Sequence, residues 1–174
     1  MSDRVSITGH TSGIGLYIKT YFEKNGYEVY GYSRSTGFDI SDSEDRNFIT
    51  KASSKSSIFV NNAYNNFDDS QLQMLKCICE EWKHLSGKLV INISSRNTSI
   101  SDAYGKTKFD LDEYCNSYIY SKLSIINLKP GLLDTPRVSN ISGSKMDLEQ
   151  LGTVLDFCLN DSNKFKIHSL CFGL

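Results

Sequence analysis

The stretch Thr8-Gly-His-Thr-Ser-Gly-Ile-Gly15 decides the predicted fold. It follows the apolar run Val5-Ser-Ile-Thr8, which predicts a strand, and it leads into Ile14, Ile18 and Phe22 at helical spacing. Glycines in such a turn permit a sharp bend, a close approach of backbone to phosphate oxygens and close packing of helix on strand. The free N–H groups and dipole of the helix favour an anion. We therefore predict a turn that binds the pyrophosphate of a nicotinamide dinucleotide through Gly9, Thr11, Ser12, Gly13, Ile14 and Gly15.

Apolar runs and helical repeats alternate along the rest of the chain. The pattern predicts strands near residues 28–32, 57–61, 88–93, 123–128 and 167–172, and helices near residues 42–52, 69–85, 102–120 and 148–159. This alternation predicts a Rossmann-type, doubly wound α/β sandwich with a mostly parallel sheet of about six to seven strands. We expect one NAD(P)-binding domain over residues 1–174, with a reduced substrate-binding segment near 136–147.

The composition narrows the class of protein. With 174 residues, 39% hydrophobic residues and a formal net charge of −1, the chain resembles a soluble globular domain without a nucleic-acid or anionic-lipid surface. No apolar run approaches the ~20 residues that cross a bilayer, so we expect a cytoplasmic protein with no membrane partner. The five cysteines show no Cys-x-x-Cys spacing, and the three histidines are scattered. We therefore expect no metal site and reduced, buried thiols.

The end of the second predicted strand bears on the choice of cofactor. In dinucleotide-binding folds an acid at this point suits the free 2′-hydroxyl of the adenosine ribose, whereas an arginine suits a 2′-phosphate. Here Arg34 offers a planar cation between the hydroxyls of Ser33 and Ser35. We predict that these residues bind a 2′-phosphate and that NADP is preferred to NAD; a solvated loop arginine is the alternative. Asp39, followed by Ile40, is predicted to hydrogen-bond the adenine edge.

Four further segments place chemically useful residues in a fixed order: Asn61-Asn62-Ala63, Ile93-Ser94-Ser95, Tyr104-Gly-Lys-Thr-Lys108, and Pro130-Gly131 followed by Thr135. Together with the glycine turn, this order resembles the short-chain dehydrogenase/reductase family. The resemblance runs from about residue 4 to residue 136 and weakly on to the C-terminus. Any one motif is common by chance, whereas five in the family's order are specific. The resemblance implies an NAD(P)-dependent oxidoreductase that interconverts a carbonyl and an alcohol by hydride transfer.

Tyr104 and Lys108 are the main catalytic candidates. They lie four residues apart on a predicted helix, so both project from one face. A free tyrosine has a pKa of about 10, too high for efficient proton transfer at neutral pH, and a neighbouring ammonium favours the phenolate. By the resemblance, Tyr104 exchanges a proton with the substrate oxygen, Lys108 also binds the nicotinamide ribose, and Ser95 stabilises charge on the same oxygen. A solvated or packing Tyr–Lys pair is the alternative. Lys106 faces elsewhere and receives no role.

The resemblance also places the nicotinamide end of the cofactor. The backbone of Leu133 and the side chain of Thr135 are expected to bond the carboxamide. The complete set of expected contacts at this end, besides Tyr104 and Lys108, is Asn62, Ala63, Pro130, Gly131, Leu133 and Thr135. Relatives commonly pair through the two long helices, here near 69–85 and 102–120, so we expect a homodimer or homotetramer.

Two departures from the family pattern concern the catalytic residues. The family usually carries an asparagine in the helix after Asn-Asn-Ala, but this chain has none between Phe67 and Ile91. Either Asn65 or Asn66 is displaced into that role, or the role is vacant. The gap between the serine and tyrosine motifs is also short, so the loop 96–101 must be tight. Ser99 and Ser101 from this loop compete with Ser95 for the serine role.

Two more departures concern the space around the cofactor and substrate. Tyr64 replaces the glycine that the family has after Asn-Asn-Ala and is expected to narrow the space over the cofactor. Residues 35–38 are too few to form the helix that normally separates the second and third strands of the family. A third strand near residues 38–40 is therefore expected to be vestigial. The segment after Thr135 is short and polar, which predicts a shallow, open substrate site. Arg137 and Lys145 in this segment are interpreted as solvated loop charges rather than contacts to an anionic substrate.

Two other functions stay open. The missing asparagine and short substrate segment also suit a non-catalytic dinucleotide-binding sensor or scaffold module. The abbreviated third strand occurs in relatives that act on sugar nucleotides, so a reductase or epimerase of a nucleotide-linked sugar is the other alternative.

Overall fold

The computed structural model describes residues 3–65, 68–118, 122–160 and 166–174. Within those residues there are six strands: β1 (Arg4–Thr8), β2 (Glu28–Tyr32), β3 (Ile58–Asn61), β4 (Leu89–Ile93), β5 (Ser124–Pro130) and β6 (Ser169–Phe172). All pair in parallel in one sheet, in the order β2-β1-β3-β4-β5-β6. The same residues contain five helices: α1 (Gly13–Lys24), α2 (Ser43–Ala52), α3 (Ser70–Trp82), α4 (Ala103–Ser117) and α5 (Leu148–Asn160). The predicted Rossmann-type sandwich is confirmed.

Both faces of the sheet are covered, because successive side chains of each strand point to opposite sides. On one face Ile58 and Val60 of β3 pack with the apolar sides of α1 and α5. On the other face Phe59 packs with α2, α3 and α4, where Trp82 and Leu111 are buried. Burial on both faces explains why these strands are continuous apolar runs in the sequence.

The structure also bears on the expectations for residues 38–40, for the cysteines and for metal or membrane sites. Residues 38–40 form no strand, and Ile40 instead packs into the core beside α2. The cysteines in the described residues are free, as expected, but the expectation that all are buried is wrong, because Cys171 is exposed at the edge strand β6. No cluster of potential metal ligands and no helix long and apolar enough to span a membrane occurs among the described residues.

The parallel sheet determines where polar residues meet. The carboxyl ends of all strands lie on one edge, where ligands bind in open α/β sheets. The glycine turn follows β1, Ser95 follows β4, and the segment with Thr135 follows β5. The first turns of α1 and α4 begin at the same edge, so residues from distant parts of the chain come together there.

Candidate active site

The glycine turn has the geometry that the sequence predicts. Gly9 and Gly13 have φ angles of 71° and 51°, in the left-handed region that favours glycine. A Cβ at Gly15 would lie 2.0 Å from the carbonyl oxygen of Gly9, so only glycine lets α1 pack this closely on the turn. At Gly13 the nearest atoms to such a Cβ belong to Thr135, at 3.8 Å. The backbone at Gly13 is therefore open to a ligand.

The start of α1 differs from that of α2 in its capping. Within the described residues, Ser12 makes no side-chain capping bond and the first turn of α1 has no acidic residue. In α2, by contrast, the carboxylate of Asp42 accepts hydrogen bonds from the backbone N–H groups of Glu44 and Asp45 at 2.7 and 3.4 Å. Free N–H groups and the positive end of the helix dipole make the start of α1 the better anion site.

Side chains from β1 and the end of β3 fix the position of the turn. The hydroxyl oxygen of Thr8 accepts hydrogen bonds from the backbone N–H groups of Asn62 and Ala63 at 3.1 and 3.0 Å. The Asn62 amide donates in turn to the carbonyl oxygens of Thr8 and Gly9. Asn62 and Ala63 thus hold the turn in place, and their direct contact with the cofactor stays a prediction.

Hydroxyl groups converge after β2. Ser33 and Ser35 are hydrogen-bonded at 3.0 Å, Ser35 donates to Thr11 of the glycine turn at 3.1 Å, and Thr36 lies 3.3 Å from Ser33. Arg34 is exposed beside them. The structure therefore brings three predicted contacts, Thr11, Ser33 and Ser35, into one cluster with a cation at its rim.

Asp39 and Ile40 follow this cluster. The carboxylate of Asp39 accepts hydrogen bonds from the backbone N–H and the hydroxyl of Ser41 at 2.9 and 2.7 Å. These bonds, together with the nearby Arg34 charge, lower the pKa of Asp39 against the opposing effect of its desolvation. Asp39 is thus an anion at neutral pH, as a hydrogen-bond acceptor for an adenine amino group must be.

Tyr104 lies in the first turn of α4, and the Ser95 side chain is close enough to its phenol to affect the pKa of Tyr104. Burial raises this pKa, and the polar interaction with Ser95 and the charge of Arg137 oppose that rise. The prediction that Lys108 lowers this pKa is wrong for this structure. Burial lowers the pKa of Lys108 itself to about 7, so at neutral pH it carries only part of a charge.

The structure separates the candidate serines. The hydroxyl of Ser94 is buried and donates to Asp112 at 2.7 Å. Ser99 and Ser101 are exposed and hydrogen-bonded to each other at 2.6 Å. Of these four serines, only Ser95 is close enough to the Tyr104 phenol to affect its pKa, and the catalytic role of Ser95 stays a prediction.

The loop 96–101 is as tight as its length predicts. A Cβ at Gly105, the residue after Tyr104, would lie 2.1 Å from the carbonyl oxygen of Ser99. Gly105 is therefore needed where the short loop crosses the first turn of α4. The glycine inside a helical pattern was the signal in the sequence for this role, which was not among the predictions.

Lys108 is buried between a carboxamide and aromatic rings. Its Nζ donates to Oε1 of Gln71 at 2.6 Å and lies 4.5 Å from the ring centroid of Tyr64. The Tyr64 ring contacts the Tyr104 ring edge to face at 5.3 Å, and the guanidinium of Arg137 lies 5.2 Å from the Tyr64 centroid. Tyr64 thus covers Lys108, as the predicted narrowing implies, and Arg137 belongs to the site rather than to a remote loop surface.

A row of amides runs beneath this group. Asn61, Asn92 and Asn127 occupy matching positions on β3, β4 and β5, and each side-chain amide donates to the next at 2.8 Å. The row ends at Asp112 of α4, which accepts from Asn127 at 2.7 Å and forms an ion pair with Lys129. Buried polar groups of this kind are stable only when hydrogen-bonded, so the row fixes α4 relative to the sheet.

The segment after β5 reaches the glycine turn. The backbone N–H of Gly131, which follows Pro130, donates to a carbonyl of β6. Leu133 is buried, and Thr135 lies against Gly13. The structure therefore places this segment beside the glycine turn, while its contact with the carboxamide stays a prediction.

An amide other than asparagine lies in the helix after Asn-Asn-Ala. The Asn65 side chain donates to Asp68 at 2.9 Å, and Asn66 lies outside the described residues. Gln71, in the first turn of α3, is the amide that contacts Lys108. The displacement of Asn65 into the asparagine's role stays a prediction, and looking along this helix for any amide, rather than for asparagine alone, finds Gln71.

The sequence matches no family model and no curated protein. Solved structures are similar over the whole chain. A short-chain dehydrogenase from Burkholderia cenocepacia in complex with NADP has a TM-score of 0.79 at 15% identity, covering 100% of this chain and 90% of that one. The 3-alpha-hydroxysteroid dehydrogenase from Pseudomonas complexed with NADH has a TM-score of 0.80 at 15% identity, with coverages of 98% and 94%. The 3-ketoacyl-(acyl-carrier-protein) reductase from Brucella melitensis complexed with NADH has a TM-score of 0.77 at 16% identity, covering 98% of this chain and 96% of that one.

These similarities define the class of fold. The chain has the fold of the short-chain dehydrogenases/reductases, and the resemblance noted in its motifs is confirmed at the level of three-dimensional structure.

Proposed function

We propose that this chain is an NADP(H)-dependent oxidoreductase that interconverts a carbonyl and an alcohol. The observation that carries the proposal is the approach of Lys108 Nζ to Tyr104, 5.5 Å from its ring centroid, with the Ser95 side chain beside the phenol and the glycine turn on the same edge of the sheet. A half-buried phenol, a hydroxyl and a buried amine with a lowered pKa are together typical of a site for proton transfer.

The residues of the glycine turn fit a dinucleotide. Gly15 has no room for a Cβ, because the backbone of Gly9 lies against it, so α1 begins close to the turn. The first turn of α1 offers N–H groups to a phosphate and contains no acidic residue that would compete for them. When bound there, a nicotinamide dinucleotide supplies or accepts the hydride.

Tyr104 and Ser95 would handle the substrate oxygen. In reduction, the Ser95 hydroxyl donates a hydrogen bond to the carbonyl, and Tyr104 gives its proton to the oxygen as the carbon gains a hydride. Because burial raises the pKa of Tyr104, the residue is a phenol at neutral pH, which is the form that donates. We therefore propose that reduction proceeds at neutral pH, and that oxidation, which requires the phenolate, becomes faster as the pH rises.

The preference for NADP rests on the group after β2. Arg34 lies at the rim of the hydroxyl cluster formed by Thr11, Ser33 and Ser35. A guanidinium with several hydroxyl donors suits a phosphate better than it suits a free ribose hydroxyl.

The test is a titration of the protein with NADPH and with NADH, followed by a panel of aldehydes and ketones with detection of the alcohol. We expect tighter binding of NADPH and its stoichiometric oxidation with at least one carbonyl. Binding of NADPH without turnover over the whole panel would contradict the enzymatic function. Equal affinity for the two cofactors would contradict only the NADP preference.

One observation favours a second candidate, a non-catalytic dinucleotide-binding sensor. The Tyr64 ring covers Lys108, whose proposed role requires contact with the nicotinamide ribose. If Tyr64 stayed in place, the pyrophosphate would bind and the nicotinamide end would not. Substitution Tyr64→Gly separates the two functions, because it would increase turnover of an enzyme and leave a sensor inactive.

We also propose a homodimer or homotetramer that pairs through α3 and α4. Phe109 is 39% exposed on α4, on a helix that otherwise buries its apolar residues. Light scattering of the wild-type protein and of Phe109→Asp tests this: an oligomer that dissociates supports the proposal, and a wild-type monomer contradicts it.

A further inference from the structure

Gln71 is one of the most buried polar residues in the described part of the chain, with 1% of its surface exposed. Its amide Nε2 donates to two main-chain carbonyls, Asn61 at 3.1 Å and Ile93 at 2.9 Å. Because the amide has two N–H donors, both are used, and the group is locked in one orientation. Its oxygen is thereby directed at Nζ of Lys108, 2.6 Å away.

The support for Gln71 extends into the sheet. The Asn61 side chain donates to the main-chain carbonyl of Gln71 at 3.1 Å and to Asn92 at 2.8 Å. Gln71 is therefore connected to the ends of β3 and β4 by both its side chain and its backbone. It cannot turn its oxygen away from Lys108 without breaking buried hydrogen bonds, each of which is costly to leave unmade.

The charges around Lys108 make this neutral partner important. From its own helix it faces Tyr104 and Asp112, from the loop before α3 it faces Tyr64, and from the segment after β5 it faces Arg137. Asp112 is the anion among these groups, and its oxygens are engaged by Lys129, Ser94 and Asn127. The direct acceptor for the buried amine is thus an uncharged carboxamide.

We propose that Gln71 is the positioning residue of Lys108: its carboxamide fixes Nζ beside Tyr104, and its lack of charge lets Lys108 release a proton. The first part follows from the locked orientation of the amide. The second follows from electrostatics, because a carboxylate at the same place would stabilise the ammonium form strongly. The proposal rests on the proposed function only in giving Lys108 a catalytic task.

Two substitutions of Gln71 by side chains of similar size are expected to shift the pKa of Lys108 in opposite directions. Gln71→Glu places a negative charge at the Lys108 amine and is expected to raise the pKa of Lys108, with at least about a tenfold fall in its acid dissociation constant. Gln71→Met removes the acceptor and is expected to lower the pKa further, because the ammonium is then buried without a partner. Both variants lose the bonds to Asn61 and Ile93, so a purely structural role predicts the same effect for both.

The primary measurement needs neither cofactor nor turnover. The ¹³Cε chemical shift of Lys108 in the full-length protein is followed by NMR as a function of pH, which reports the fraction of neutral amine without a reagent having to reach the buried side chain. Gln73→Glu and Gln73→Met are the matched controls, since Gln73 lies on the same helix and bonds the exposed Asp69. We expect the controls to titrate as the wild type does.

The second measurement is the pH dependence of turnover. If the proposed function holds, the pH profile of kcat moves upward in Gln71→Glu and downward in Gln71→Met, with little change in the KM of the carbonyl. Shifts of Lys108 in opposite directions without any turnover would support the positioning role and contradict the enzymatic function. Equal or absent shifts in the two variants, in a protein that turns over normally, would overturn the role of Gln71. Should Gln71→Met not fold, Gln71→Asn replaces it, because the shorter amide cannot reach Nζ.

Discussion

The glycine turn and the group around Tyr104 lie on the same edge of the sheet but are built in different ways. The turn presents backbone: glycines with positive φ and the uncapped start of α1. The Tyr104 group presents side chains, and two of them, Gln71 and Lys108, are almost fully buried. One region comes from eight consecutive residues, whereas the other requires two helices, α3 and α4, and the ends of two strands, β3 and β4, to be packed correctly.

This difference predicts how each region fails. A backbone site is sensitive to added atoms, because there is no side chain to remove. A side-chain site is sensitive to lost hydrogen bonds and altered charge, because its groups are already desolvated. The following four predictions test that contrast, from the largest expected effect to the smallest.

Tyr104→Phe removes one oxygen from the side-chain region. We expect turnover to fall by about 10²–10⁴-fold, the usual contribution of a general acid, while the affinity for NADPH changes little. Single-turnover kinetics and cofactor titration measure the two effects. Phe109→Tyr, on the exposed side of the same helix, is the control. Turnover near that of the wild type would remove Tyr104 from the mechanism.

Gly15→Ala adds one carbon to the backbone region. The new Cβ would lie 2.0 Å from the carbonyl oxygen of Gly9, so the turn must move. We expect a destabilisation of about 1–3 kcal/mol and a loss of NADPH affinity of at least about tenfold. Denaturant unfolding and cofactor titration are the measurements. The control is Thr20→Ala, on the exposed side of α1. Gly37→Ala would not serve, because Gly37 has a positive φ and an alanine there would be strained. Unchanged cofactor affinity in Gly15→Ala would contradict the backbone site.

Lys108→Met tests the buried amine through stability. The folded-state pKa of Lys108 is about 7 and its ordinary value is 10.5, so between these pH values the unfolded chain binds more protons. The wild type should therefore gain stability relative to Lys108→Met as pH rises from about 7 to 10, with a slope approaching 1.4 kcal/mol per pH unit. Urea unfolding at several pH values measures the difference. Lys106→Met, at an exposed position paired with Asp110, should show no such slope. A pH-independent difference for Lys108→Met would show that the amine is not perturbed.

Arg34→Ala should have the smallest effect, because the residue is exposed and solvent screens its charge. We expect NADPH to bind about tenfold more weakly and NADH to bind as before. The ratio of the two dissociation constants is the measurement. Arg4→Ala is the control, because Arg4 pairs with Glu28 at the amino-terminal ends of β1 and β2, on the opposite edge of the sheet. An unchanged ratio would show that Arg34 is a solvated loop residue.

The outcome of the sequence predictions follows the same division. The turn and the strands were predictable, because each depends on a short pattern whose geometry is local, whereas the choice of Ser95 over its neighbours stays a prediction. The cause of the shift in the Tyr104 pKa was not predictable from the sequence. The expected cation was Lys108, four residues away on the helix, but burial raises this pKa, and the positive charge that partly opposes the rise is that of Arg137 after β5. No spacing in the sequence relates Arg137 to Tyr104.

The row of amides formed by Asn61, Asn92 and Asn127 is another feature that could not be predicted from the sequence. Asn92 and Asn127 each interrupt an apolar strand, which marks them as unusual, but their partners are fixed by the register of β3, β4 and β5. Register is decided by how the whole sheet packs, since each strand contributes one face to each core layer.

The sequence by itself determined that a dinucleotide turn, a tyrosine, a lysine and a serine would meet at one edge of a parallel sheet. It did so because glycine spacing and helical periodicity are properties of neighbouring residues. Only the tertiary structure decided that Gln71 contacts Lys108, that Tyr64 covers it, and that burial rather than an adjacent ammonium controls the Tyr104 phenol. Desolvation and buried hydrogen bonds arise from packing between residues far apart in the chain, and the chain must fold before they exist.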